Sequence, residues 1–232
     1  HIPIVGGFAA DDQQWDACAI YTADGVQNDC IVALHAIGNL QYAIHVENSI
    51  TPIGEIGMIT QANSNQIDTI NNFSAMRFIE KEIGKPILRS DRGVVSLSIV
   101  NEQNIKRLRA IKSDIGDHVN SVFLYGGINV GNHVQVCIAQ PDEIIQEVYK
   151  LVEDAKTTHF QPVAALIISC AGRKSLLGAG LNHEIDAFNR EFHNLPMIGF
   201  PSLGEIAPLK TETGYSNNLF HNMTYVLVLI GS

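Results

Sequence analysis

The sequence predicts an α/β fold with an α+β tendency, a mixed and largely antiparallel sheet with helices packed on it. Three observations carry that expectation. Residues 163–168, Val-Ala-Ala-Leu-Ile-Ile, are apolar without alternation, the mark of a strand covered on both faces. From Pro141 onward, Ile144, Ile145, Val148, Leu151, Val152 and Ala155 fall on one helical stripe with acidic and polar residues opposite. Asp24-Gly25, a pair suited to positive φ, separates two apolar runs at 19–22 and 30–34 as a hairpin turn would.

The remaining elements follow in order. Residues 2–5 read as a short strand ended by Gly6-Gly7. The stretch 42–70 is polar and Gly-containing, which predicts one strand plus a long loop. Ser74 precedes Met76, Phe78, Ile79 and Ile83 at helical spacing, with Gly84 and Pro86 as stop signals. A strand is expected over 93–100, and a helix over 103–112 with Ile105, Leu108 and Ile111 on one face. Another strand is expected over 121–125. Val134, Val136 and Ile138 alternate with His133, Gln135 and Cys137, as in a half-buried strand. After a Gly-containing loop, Leu181, Ile185, Phe188 and Phe192 line a helix, and strands over 197–200 and 223–230 close the chain. Ile2-Pro3-Ile4-Val5-Gly6-Gly7 is echoed by Leu195-Pro196-Met197-Ile198-Gly199, a hint of two related subdomains.

Composition narrows the function classes. The 232 residues are 46% hydrophobic and 17% charged, which excludes a disordered or fibrous chain. The net charge is -9 and the 15 Lys and Arg residues are scattered, so nucleic acid is not an expected partner. No apolar run reaches the ~20 residues that span a bilayer, and no basic segment leads a hydrophobic signal core, so no membrane association is expected. Cys18, Cys30, Cys137 and Cys170 lie far apart without a CxxC pair, which reads as reduced thiols in the cytoplasm. The histidines show no HxH or HExxH spacing, and no P-loop or GxGxxG follows a strand, so neither metal nor cofactor is expected. Asp11, Asp12 and Asp16 lack the spacing of a calcium loop and read as a solvated loop. The start at His1 directly before an apolar run leads us to expect upstream sequence.

Candidate chemistry gathers between Cys170 and Asn222. Cys170 ends the apparent central strand, where ligand crevices open in α/β sheets; it is a nucleophile or, more simply, a packed thiol. Arg173, just beyond, is placed to fork onto a carboxylate, either a ligand's or that of Glu205. Residues 199–208 combine Gly199, Gly204, two prolines and the isolated Glu205, a pocket wall or a sharp bend with a surface acid. His221 and Asn222 precede a buried run, where His221 acts as a base, grips a ligand or caps a backbone group.

The order Ser169-Cys170-Ala171-Gly172-Arg173, a helix, Gly199-Phe200, Gly204-Glu205-Ile206 and His221-Asn222-Met223-Thr224 resembles the C-terminal part of FIST proteins. Upstream, Gly6-Gly7-Phe8-Ala9-Ala10-Asp11-Asp12, the Asp24-Gly25 hairpin and Thr51-Pro52-Ile53-Gly54 with Thr60 are similar to the later portion of the family's N-terminal domain. The resemblance implies an N-type domain over 1–73 and a C-type domain over 74–232. It further implies a sensory module that binds a small ligand, amino acids being the usual suggestion, and passes a signal to a partner protein. Relatives are joined to kinase, cyclase or chemoreceptor outputs in bacteria and to F-box segments in eukaryotes. We therefore expect a non-catalytic, cytoplasmic sensor whose ligand site comprises Cys170, Arg173, Gly204, Glu205, His221 and Asn222. In this reading Arg173 grips an anion, and Arg173→Ala abolishes binding without unfolding. Two other readings are a hydrolase or acyltransferase using Cys170 with His221 as base, and a scaffold that only recruits partners.

Overall fold

The computed structural model describes residues 2–9, 18–48, 50–88, 91, 94–101, 106–112 and 120–231. The chain first forms β1 (Gly6–Ala9), β2 (Ile20–Thr22), β3 (Gly25–Gln27), β4 (Gln41–Glu47), β5 (Thr51–Asn63), β6 (Gln66–Ile70), β7 (Phe73–Ser74) and α1 (Ala75–Ile83). Next come β8 (Val95–Val100), β9 (Lys106–Ala110), β10 (Val122–Phe123), β11 (His133–Ile138) and α2 (Pro141–Ala155). The last third holds β12 (Pro162–Cys170), α3 (Ala171–Leu177), α4 (Asn182–Glu191), β13 (Met197–Thr211), β14 (Gly214–His221) and β15 (Tyr225–Gly231). The architecture is the mixed, largely antiparallel α/β arrangement expected.

Two large sheets carry it. The first has the order β1-β13-β12-β15-β4, with β14 folded back onto β13; the second runs β10-β6-β5-β11-β8-β9, with β7 on β6. Both sheets draw strands from either side of residue 73. In the first sheet β12 lies between parallel β13 and antiparallel β15, and its side chains enter two cores. Ala165 and Ile167 pack with Val148, Val152 and Phe188 of the helices, whereas Ile168 meets Ile44 and Val226 on the opposite face. That double burial is why residues 163–168 lack alternation.

Local signals work where predicted. Ser74 accepts the Arg77 amide at 3.3 Å as N-cap of α1, and Gly84 ends the helix at φ 74. Met76, Phe78 and Ile79 then pack against Ile59, Ile67 and Ile70 of the second sheet. Pro141 opens α2, with Asp142 and Glu143 in the first turn, where the helix dipole favours acids.

Several expectations change. Residues 42–70 are not one strand and a loop but β4, the 13-residue β5 and β6. Bulges in the β5 pairing break the alternation that would have revealed it. The helix expected over 103–112 is replaced by edge strand β9, while residues 103–105 lie outside the described residues. Pairing with β8 decides this, and it sends Leu108 and Ile111 into different cores instead of onto one helical face. The hairpin turn forms with Gly25 at φ 106, but β2 pairs with residues 25–27. Residues 30–40 form no strand and expose Ile31 and Leu34 to 94% and 98%. The strand near the amino terminus begins at Gly6, not Ile2. The loop expected after β12 instead begins as α3, which precedes Gly178. His221 ends β14 instead of opening the last strand. Asp11, Asp12 and Asp16 lie outside the described residues. Among the described residues no helix is long and apolar enough to cross a membrane.

The two sheets meet where the β14–β15 turn touches edge strand β9. Asn222 Oδ1 accepts the Ala110 amide at 3.2 Å, and Arg109 Nη1 donates to the Phe220 carbonyl at 3.1 Å. Beneath these bonds Leu108, Cys137, Cys170 and Met223 pack together. Replacing Asn222 by Ala orphans the Ala110 amide; we expect a loss of about 1–2 kcal/mol, read as a lower urea midpoint at unchanged m value.

Candidate functional site

The parallel pairing of the first sheet, β12 with β13, is joined by a crossover through α3 and α4. Crevices open beside strand carboxyl ends in such units. Here a cleft of about 360 Å³ is bounded by Ser169 and Cys170 of β12, Lys174 of α3, Asn182, Glu184 and Ile185 of α4, and Met197, Phe200 and Pro201 of β13. Its walls are mostly apolar. Its polar floor is Glu184, whose two oxygens take bonds from Ser169 Oγ at 2.8 Å and Arg173 Nε at 2.7 Å.

Arg173 therefore finds its carboxylate, but in Glu184 and not in Glu205. The guanidinium is fully buried behind the cleft, over the Tyr225 ring at 5.9 Å, and Nη2 takes no hydrogen bond among the described residues. Burial, with the Glu184 charge, pushes the Tyr225 hydroxyl well above the ordinary tyrosine range. The signal for Glu184 was present in the sequence: it sits one turn before Phe188, beside the apolar stripe of its helix, where an acid must find a partner. Ser169, Lys174 and Asn182 were not legible as pocket residues, because only the crossover brings them to one cleft.

The other expected residues lie outside the cleft lining, Gly204 and Glu205 in the later half of β13, His221 at the end of β14 and Asn222 in the turn before β15. Gly204 faces the Phe220 ring so closely that no Cβ would fit. Glu205 Oε2 accepts the Thr224 hydroxyl at 2.8 Å and the Thr224 amide at 3.3 Å, while Oε1 takes no hydrogen bond among the described residues. Burial pushes the Glu205 carboxyl up to about 7, against the opposing Thr224 bonds. His221 Nε2 lies 2.9 Å from the Ala207 carbonyl and so carries the proton there. Burial first, then the Arg109 and Arg107 charges, lower the His221 pKa against that bond. Asn222 spends its side chain on the Ala110 amide and the His221 carbonyl. Of the six expected residues, Cys170 alone lines the cleft, and Arg173 stands directly behind it.

A thiol catalyst needs a thiolate and a base. Burial, then the Glu205 charge, pushes the Cys170 thiol up to about 12, and the described residues contain no Cys170–His221 hydrogen bond. A thiol pushed up this far is a poor source of a thiolate nucleophile. Among the described residues no group of His, Cys, Asp and Glu is arranged to hold a metal ion.

Fold and cleft together define a mixed α/β domain with a small-molecule-sized recess beside its parallel strand pair. The FIST N domain matches residues 1–72 and the FIST C domain matches residues 76–208, so the chain belongs to the FIST family. FIST domains are sensory domains associated with signal transduction. None of the curated proteins compared with the chain matches it.

Two outcomes follow from this geometry. Full burial of Arg173 changes the expectation that its removal leaves the fold intact: Arg173→Met alone should cost about 3–5 kcal/mol by leaving Glu184 buried and unpaired. Arg173→Met with Glu184→Met should recover most of that loss in urea unfolding. For Glu205, the folded pKa exceeds the unfolded value, so its neutral form favours the fold below pH ~4.5 and this contribution is lost as pH rises through about 7. Relative to Glu205→Gln, the wild type should lose roughly 3 kcal/mol over that window, measured as paired urea midpoints.

Proposed function

We propose that this chain is a non-catalytic sensory module that binds a small polar, carboxylate-bearing ligand, an amino acid first among candidates, in the cleft beside β12. The observation that carries the reading is a recess with apolar walls, a cationic side chain at its edge and a fixed acid at its floor. Lys174 forms no ion pair among the described residues and is the group to meet the ligand's carboxylate. Glu184 retains lone pairs beyond the two it shares, and these suit an amine. Ile185, Met197 and Phe200 offer an apolar surface to the rest of the molecule.

Arg173 changes role in this reading. It holds Glu184 in place and does not grip the ligand itself. Gly204, Glu205, His221 and Asn222 hold the adjoining turn, so binding is transmitted through them rather than made by them. A cytoplasmic location and a signalling partner protein belong to the same proposal.

Calorimetry of the full chain against the common amino acids and related carboxylates tests it. We expect saturable one-site binding, weakened about tenfold by Lys174→Gln with an unchanged circular dichroism spectrum. Absence of binding across the set would sink the reading.

A further inference from the structure

Away from the cleft, edge strand β9 carries two cations that no acid among the described residues answers. Arg107 and Arg109 are two residues apart, so they project from the same face of the strand, opposite Ile99 and Leu97 of β8. Arg109 is only 3% exposed. Its Nη1 donates to the carbonyls of Leu108 at 2.9 Å and Phe220 at 3.1 Å, and its guanidinium lies over the Phe220 ring at 5.6 Å. Gly126, at φ 124, leaves the space it occupies, since a Cβ there would strike Nε and Cδ.

None of these partners carries negative charge. The described residues place no carboxylate within ion-pair distance of either arginine. The Nε atoms of Arg107 and Arg109 are both buried and take no hydrogen bond among the described residues. Burial, then the Arg107 charge, holds the Arg109 pKa down to about 10, and both arginines depress His221. Buried cations in native proteins are almost always paired, and two guanidiniums projecting from one face of a strand can together meet a multidentate oxyanion.

We propose that Arg107 and Arg109 form an anion-binding site at the junction of the two sheets, taking an oxyanion with at least two acceptor oxygens, a carboxylate or a phosphate. Arg107, half-buried, is the entry side, and Arg109 is the fixed inner donor. Because Arg109 also holds Phe220 and neighbours the Asn222–Ala110 bond, a bound anion tightens the contact between β9 and the β14–β15 turn.

The test is calorimetry and thermal unfolding of the full chain, with sodium phosphate and sodium acetate each compared with sodium chloride at equal ionic strength. At least one oxyanion should bind once per chain and raise Tm by about 3 °C at tenfold over Kd. Arg107→Gln and Arg109→Met should each abolish both effects. Binding should also raise the pKa of the His221 imidazole followed by NMR, because the anion offsets the two positive charges beside it. A response to phosphate alone assigns a phosphate-bearing ligand, and a response to acetate alone a carboxylate. No response to either anion, or a response that either folded variant retains undiminished, overturns the site. Should Arg109→Met fail to fold, Arg107→Gln alone decides: loss of the response upholds the site, and an undiminished response overturns it.

Discussion

The cleft depends on one interaction, the buried pair between Arg173 and Glu184. Two charges removed from water are tolerated only when each is closely met, and here the 2.7 Å bond is reinforced by Ser169 on the second Glu184 oxygen. The pair ties α3 to α4 across the recess and faces the acid toward the end of β12. It also decides which cation is left for a ligand. Successive helical residues point about 100° apart, so when Arg173 turns inward its neighbour Lys174 is carried to the cleft edge.

The same constraint reaches the second sheet through one short turn. Arg173 Nη1 lies 3.5 Å from the Met223 carbonyl, the Cys170 amide donates to the Thr224 carbonyl at 2.9 Å, and Glu205 takes both Thr224 donors. Met223 holds φ 59 in that turn, and its sulfur fills the space beside Gly172, where a Cβ would not fit. On the far side, Asn222 clips the edge of β9. Residues 222–224 are thus in physical contact with Cys170 at the cleft, with Arg173 behind it and with the other sheet at once. For a sensory family this contiguity matters, since any rearrangement of α3 bears directly on the sheet junction.

Legibility varied with how local the signal was. The cap at Ser74, the stripe of α2 and the unalternating run of β12 are each written within one segment, and each appears where expected. Residues 106–110 show the opposite case. Their apolar spacing suits a helix, yet edge pairing to β8 claims the backbone, and Arg107 and Arg109 fall on one side as a result. Glu205 and His221 looked like pocket residues because a lone acid and a lone imidazole in apolar surroundings demand partners. They do have partners, in Thr224 and Ala207, and their register, Glu205 opposite His221, is a property of the β13–β14 pairing.

By itself the sequence determined the α/β class, the buried central strand, the principal amphipathic helices and membership in a family of sensory domains, because periodicity, caps and motif order are local or linear. Only the tertiary structure decided which side chains meet. Glu184 lies eleven residues from Arg173 on another helix, and Arg109 lies 111 residues from the Phe220 carbonyl it holds. The partner of a buried charge is set by how sheets and helices pack, and that is information no single segment carries.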